Sequence, residues 1–192
     1  MTRSLALERL SREIEAFAEA LPPVHSWSPA REGRIDIRID EDGRWWHEGG
    51  AIEREALVVL FASILRCDGP GEYALVTPAE RLRIEVADVP FLIVDVERAD
   101  TDTADPVWVA TTSLGESVWI GETHPIRGAN AGETGAAYCV VRPVPGTANG
   151  RLPLEGRLSR AAWYRLAEAL ETTSTSASLQ SGGVTHTLAR WD

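Results

Sequence analysis

A chain of 192 residues with 44% hydrophobic and 25% charged residues has the make-up of a globular protein and the length of one domain or two small ones. The formal net charge is −10 and all 19 basic residues are arginine. That field works against nucleic-acid polymers but leaves room for a small anion at a local arginine cluster. Two distant cysteines, Cys67 and Cys139, imply no disulfide framework and suit a reducing compartment. The N-terminal stretch carries charges throughout and has no apolar signal core. The longest apolar run, Ala56 to Leu65, falls short of the roughly 20 residues of a membrane span, so a soluble, cytoplasmic protein is expected.

Residues 4 to 21 carry Leu7, Leu10, Ile14, Phe17 and Leu21 at spacings of three and four, which predicts an amphipathic helix ended by Pro22-Pro23. It would pack on the main body or form a dimer seam. Arg34 to Asp40 alternates strictly, with Ile35, Ile37 and Ile39 on one face: a half-buried strand. Asp42-Gly43 then supplies a hairpin turn, and Trp45 and Trp46 on the return strand point to opposite faces. After Gly49-Gly50, Glu53 to Arg66 reads as a helix apolar on nearly all sides, expected to be buried against more than one layer.

Strands follow over Tyr73–Thr77, Leu82–Val86 and Phe91–Val96, then a hairpin from Val107–Thr112 to Ser117–Ile120. Glu122 to Gly135 reads as a long loop, and Ala137–Arg142 as a strand. Asn149-Gly150 is a second hairpin turn, and Arg160–Glu171 a helix N-capped by Ser159. A Ser/Thr linker leads to a last hairpin at Ser181-Gly182-Gly183.

The segment from Asn149 to Leu170 echoes that from Asp42 to Leu65: a turn, a Glu-Gly step, then a helix opening on an arginine. Short hairpin links and the lack of a βαβ pattern give an α+β class with mostly antiparallel sheet, built on a repeated β-β-α-β-β unit. The expected divisions are residues 1–30, 31–87 and 88–192.

No metal-ligand spacing, nucleophile elbow or phosphate-loop fingerprint is present, so no catalytic residue, metal or cofactor is predicted. Arg54 and Arg160 each open a central helix, where a cation opposes the helix dipole. Two readings stand: ion pairs with Glu48 and Glu155, or an anion held by helix N–H groups and the arginine fork. In the loop sequence GETHPIR, His124 and Arg127 could meet a polar ligand or simply belong to a proline-stiffened loop. The outward tryptophan of the pair could stack on a base or lie beneath residues 4 to 21.

The stretches RIDIRIDEDGRWWHEGGAIEREALVVLFASILR and YALVTPAERLRIEVADVPF, with Glu122–Arg127 and the Ser181-Gly182-Gly183 turn, resemble the bacterial family catalogued as domain of unknown function 1285. The resemblance implies a duplicated two-domain body whose second domain is superficially like a pleckstrin-homology fold. It also implies a nucleotide-like ligand at an interdomain cleft and a part in signalling. The expected function is therefore non-enzymatic binding of a small anionic, nucleotide-like molecule. Trp46, Arg54, Thr77, Glu80, His124, Arg127 and Arg160 are the candidate ligand-binding residues. A protein-interaction scaffold, meeting a protein partner through the pleckstrin-like domain or the first helix, is the alternative. A hydrolase or transferase using His124 as base is the third reading.

Overall fold

The computed structural model describes residues 21–99, 105–129, 136–146 and 150–191. The helix expected over residues 4 to 21 lies, up to residue 20, outside the described residues. Two compact units emerge. The N-terminal unit runs to Pro90 and takes back Arg142–Leu154; the C-terminal unit holds Phe91–Val141 and the chain from Glu155. Each is β-rich, and the class is α+β with mostly antiparallel pairing.

In the N-terminal unit, β1 (Arg31–Ile39), β2 (Trp45–His47), β3 (Gly50–Ala51), β4 (Leu65–Cys67), β5 (Tyr73–Val76) and β6 (Glu80–Val86) form one sheet in the order β3-β2-β1-β6-β5-β4. The alternation of β1 does what its pattern predicts: Ile37 and Ile39 are buried, while Arg34, Asp36 and Arg38 are exposed. The tryptophan pair divides between faces. Trp45 enters the core and stacks on Phe61 with ring centroids 6.2 Å apart. The step after β2 is a turn of its own, with positive φ at Glu48 (48°) and Gly49 (79°), as a two-residue type I′ hairpin requires.

Helix α1 (Glu55–Ser63) is shorter and less covered than its composition predicts. Val58 and Ala62 are buried, but Leu60 is 56% exposed, so the expected burial against several layers does not hold. The apolar run continues as a strand because Leu65, Arg66 and Cys67 find ladder partners on β5 and are buried.

The C-terminal unit places β7 (Phe91–Ala99), β8 (Val107–Thr112), β9 (Ser117–Ile120), β10 (Ile126–Gly128), β11 (Ala137–Arg142) and β12 (Leu154–Leu158) in the order β10-β11-β12-β7-β8-β9. The predicted long loop thus contains a strand, β10, paired with β11. Helix α2 (Arg160–Ala167) begins as predicted, with the Ser159 hydroxyl accepting from Ala162 N–H at 3.2 Å. It stops short of Glu171, because β13 (Glu171–Thr172) joins β14 (Ser176–Ser181) and β15 (Val184–Arg190) in a small third sheet. The supposed Ser/Thr linker therefore runs into β14.

The β14–β15 hairpin bridges both ends of the larger sheet. Ser181 donates to the Ile120 carbonyl at 2.6 Å and accepts from Trp108 N–H at 3.0 Å. At the other edge β15 lies so close to β10 that a side chain on Gly128 would place its first carbon 1.7 Å from the Leu188 carbonyl oxygen. The hairpin thus closes the sheet, and α2 packs on β7.

The internal repeat is legible in these strand orders, but its register differs from the residue match. In each sheet three strands run from the centre outward and the next three from the edge inward. One parallel contact joins the halves: β1 with β6, and β7 with β12. The copies are therefore β1–β6 and β7–β12. On that frame β2 is flanked by β1 and β3, whereas β12 is flanked by β11 and β7, so residues 42–65 and 149–170 are not equivalent. The position of α1, between third and fourth strands, is taken in the second copy by the GETHP segment before β10.

Candidate functional site

The strongest concentration of buried charge lies at the β4–β5–β6 end of the N-terminal sheet. Arg66 is 4% exposed and Arg81 7%. A buried guanidinium needs a counter-charge and acceptors for its N–H groups. Arg66 is saturated on most sides: Nε and Nη2 donate to Asp68 at 2.6 and 3.3 Å, and Nη1 donates to the carbonyls of Val24 and Trp27, both at 2.9 Å. This arginine pins the Val24–Ser26 turn onto β4.

Asp68 is shared. Arg81 Nε donates to its Oδ2 at 2.6 Å, and Arg151 Nε stands 3.6 Å from Oδ1 while its head group hydrogen-bonds the His25 carbonyl. Burial pushes the Asp68 pKa up, but hydrogen bonds and charge from Arg66 and Arg81 outweigh it and leave the carboxyl below its ordinary range.

Arg81 differs from Arg66 in what its far end does. Its terminal nitrogens make no hydrogen bond to any described residue; the Glu32 carboxylate stands 3.7 Å from Nη1. That open fork lines a hollow of about 430 Å³, whose walls also carry Arg66, Asp68, Glu72 and Arg83. A nine-tenths-buried arginine with unspent donors facing a cavity of this size is a ready receptor for a carboxylate or phosphate.

The sequence-predicted residues stand elsewhere. In the N-terminal unit, Trp46 donates from Nε1 to Asp40 at 2.8 Å, and the Arg38 guanidinium covers its ring at 5.3 Å. Thr77 is committed to its own turn, accepting from Ala79 and Glu80 N–H at 3.3 and 3.1 Å. Glu80, which opens β6, stands 3.7 Å from Arg31. Arg54 is the N-cap of α1: its carbonyl accepts from Leu57 and Val58 N–H, while its exposed guanidinium makes no hydrogen bond or ion pair to a described residue. The acid that suits the helix dipole is Glu55, in the first turn, so the expected partner Glu48 is not needed.

In the C-terminal unit, Arg160 folds back on its own helix: it donates to Tyr164 Oη at 3.2 Å and lies over that ring at 5.5 Å. The ion pair predicted between Arg160 and Glu155 is not formed. Glu155 instead accepts from Nε and Nη2 of Arg127, at 2.9 and 2.7 Å, while Nη1 donates to the Gly128 carbonyl at 3.3 Å and the guanidinium stacks on Tyr138 at 4.5 Å. Three adjacent strands, β10, β11 and β12, supply these three side chains. His124 shares a hydrogen bond of 3.0 Å between Nδ1 and the Val140 carbonyl. Burial lowers its pKa, against the pull of that carbonyl and of Glu116. Burial likewise pushes the Cys139 thiol up to about 12.

Sequence reasoning missed Arg66, Asp68 and Arg81. Arg66 sits in an apolar run and Asp68 in a glycine-proline turn; an arginine inside such a run was the one available signal. Among the described residues no group of histidines, cysteines and carboxylates is placed to hold a metal, and no helix is long and apolar enough to cross a membrane.

With the fold and the hollow in view, comparison defines the class. Residues 22–89 match the N-terminal domain model of a domain of unknown function, DUF1285, and residues 90–188 match the C-terminal domain model of the same family. The chain belongs to the DUF1285 family. It is similar to the crystal structure of a DUF1285 family protein from Silicibacter pomeroyi DSS-3, with 38% identity and a TM-score of 0.75, covering 92% of this chain and 94% of that one. A second DUF1285 family protein, from Shewanella baltica OS155, is 29% identical over 69% of this chain and 90% of its own, with a TM-score of 0.49. No curated protein matches the chain.

Proposed function

We propose that this protein is a non-enzymatic binder of a small anionic, nucleotide-like molecule, that the bound state serves a signalling role, and that the anionic group seats on Arg81. The observation that carries the reading is the open fork of a buried arginine on the wall of a hollow of about 430 Å³. Nucleotide-sized ligands occupy cavities of roughly 300–1,000 Å³. Asp68 holds Arg66 and Arg81 in fixed positions, which suits recognition: a preset donor pair loses little freedom on binding.

The test is thermal unfolding of the full chain with adenosine monophosphate, inorganic phosphate and butyrate. A ligand present at 100 times its Kd adds about 2.7 kcal/mol to stability. At least one probe raises the wild-type midpoint, Arg81→Gln loses the response, and Arg81→Lys, which keeps the charge without the fork, recovers it only in part. No shift with any probe, or an equal shift in Arg81→Gln, overturns the reading. A scaffold function has one observation in its favour, the exposed Leu60 on α1; a Leu60→Glu variant that loses self-association or a protein partner while binding no anion would support it.

A further inference from the structure

Resting on the reading of Arg81 as the anion receptor, we infer that the hollow takes a small zwitterion: an anionic group for Arg81 and an ammonium group for Glu32 and Glu72. The three carboxylates of the wall are not equivalent. Asp68 is spent, hydrogen-bonded by Arg66 and Arg81 at 2.6 Å each. Glu32 and Glu72 are loosely held: their oxygens stand 3.7 Å from Arg81 and 3.9 Å from Arg83, beyond hydrogen-bond reach. Both are well exposed, Glu32 at 65% and Glu72 at 51%, so both can turn toward a ligand.

Glu32 is the direct neighbour of Arg81 across the parallel β1–β6 ladder. Any anion on the Arg81 fork therefore comes to rest beside the Glu32 carboxylate. Two negative charges at that separation repel unless a positive group sits between or next to them. The wall offers no surplus to absorb the conflict: Arg66, Arg81 and Arg83 face Glu32, Asp68 and Glu72, three charges of each sign. Arg151 also reaches Asp68 but does not line the hollow. Such a field is poor for a polyphosphate. It suits a molecule that brings its own ammonium group, which meets Glu32 and Glu72 while its anionic end meets Arg81.

Matched pairs differing only in the amine test this: 4-aminobutyrate against butyrate, and 2-aminoethyl phosphate against ethyl phosphate, each titrated calorimetrically into the full chain near neutral pH. The amine-bearing member of each pair binds about fivefold tighter, the upper end for partly exposed ion pairs. The preference falls to near unity in the Glu32→Gln/Glu72→Gln double variant, whose folding is secure because both side chains are exposed. Equal or weaker binding of the amine-bearing members, or a preference that survives in the double variant, overturns the zwitterion. If butyrate and ethyl phosphate bind through Arg81 with no amine preference, the anion site stands and only this inference falls. If no member of either pair binds, this inference falls, and the anion site stands or falls with adenosine monophosphate.

Discussion

Two arginine–carboxylate clusters, one in each unit, use the same groups to opposite effect. In the C-terminal unit Arg127 is closed: Nε and Nη2 donate to Glu155, Nη1 donates to the Gly128 carbonyl, and its face lies on Tyr138. In the N-terminal unit Arg81 is held by one nitrogen only, and its terminal nitrogens face a hollow. The closed arginine is also the more exposed one, its side chain 43% accessible against 9% for Arg81. Accessibility alone would have chosen Arg127 as the binding residue. What decides is the number of donors still unspent.

The comparison is broken most severely at Asp68. Asp68→Ala leaves Arg66 and Arg81 buried without their shared counter-charge and costs about 3–5 kcal/mol, measured by denaturant unfolding. The matching cut in the other cluster, Glu155→Gln, costs about 0.2–1 kcal/mol because Arg127 is half in water. A cost for Glu155→Gln equal to that for Asp68→Ala would erase the distinction.

The C-terminal unit has its own point of failure, steric and not electrostatic. Gly128→Ala drives a methyl group into the Leu188 backbone where β10 meets β15, and costs about 3 kcal/mol by the same measurement.

Acid acts on the histidines and on Asp68 in different pH windows. Burial, joined at His25 by the charge of Arg151 and Arg66, holds His25, His124 and His186 below the ordinary imidazole range, so the unfolded chain binds more protons than the folded one. Their contribution is complete above the unfolded value of about 6.5 and is lost as pH falls through the lower folded values. The loss is at most about 1.4 kcal/mol per pH unit for each histidine. Asp68 acts further down: its contribution is complete above the unfolded carboxylate value of about 3.9 and is lost as pH falls through its lower folded value. Unfolding midpoints therefore drop between pH 7.5 and 5.5. The double variant His124→Asn/His186→Leu removes the C-terminal unit's share of that drop and leaves the share of His25.

The smallest effect expected is a gain. Glu48 holds a positive φ that asparagine adopts more readily, so Glu48→Asn stabilises by about 0.5 kcal/mol, read as a small rise in Tm.

The parts of this fold that the sequence made legible are those fixed by neighbours in the chain. The alternation of β1, the split of Trp45 from Trp46, the Ser159 cap and the β14–β15 turn each follow from spacing or turn chemistry over a few residues. The misreadings fall where distant segments decide. Leu65–Cys67 continues a helical apolar run and becomes a strand only because Tyr73–Val76 pairs with it. Ile126–Gly128, set between a proline and small residues, is a strand only because β11 lies beside it. The hollow was illegible for the same reason. Arg81 sits among the polar residues of β6, and its burial depends on Glu32 from β1 and Asp68 from the turn after β4. The repeat was seen, but at the wrong register, because turn-glycine-arginine echoes are cheaper for sequence to repeat than the strand order that defines the two copies.

The central claim is that unspent donors on a buried arginine, and not exposure, mark the binding residue. Calorimetric titration of adenosine monophosphate into wild type, Arg81→Gln and Arg127→Gln tests it most directly. Binding lost in Arg81→Gln and kept in Arg127→Gln is the predicted result; loss in Arg127→Gln with Arg81→Gln unaffected would contradict it.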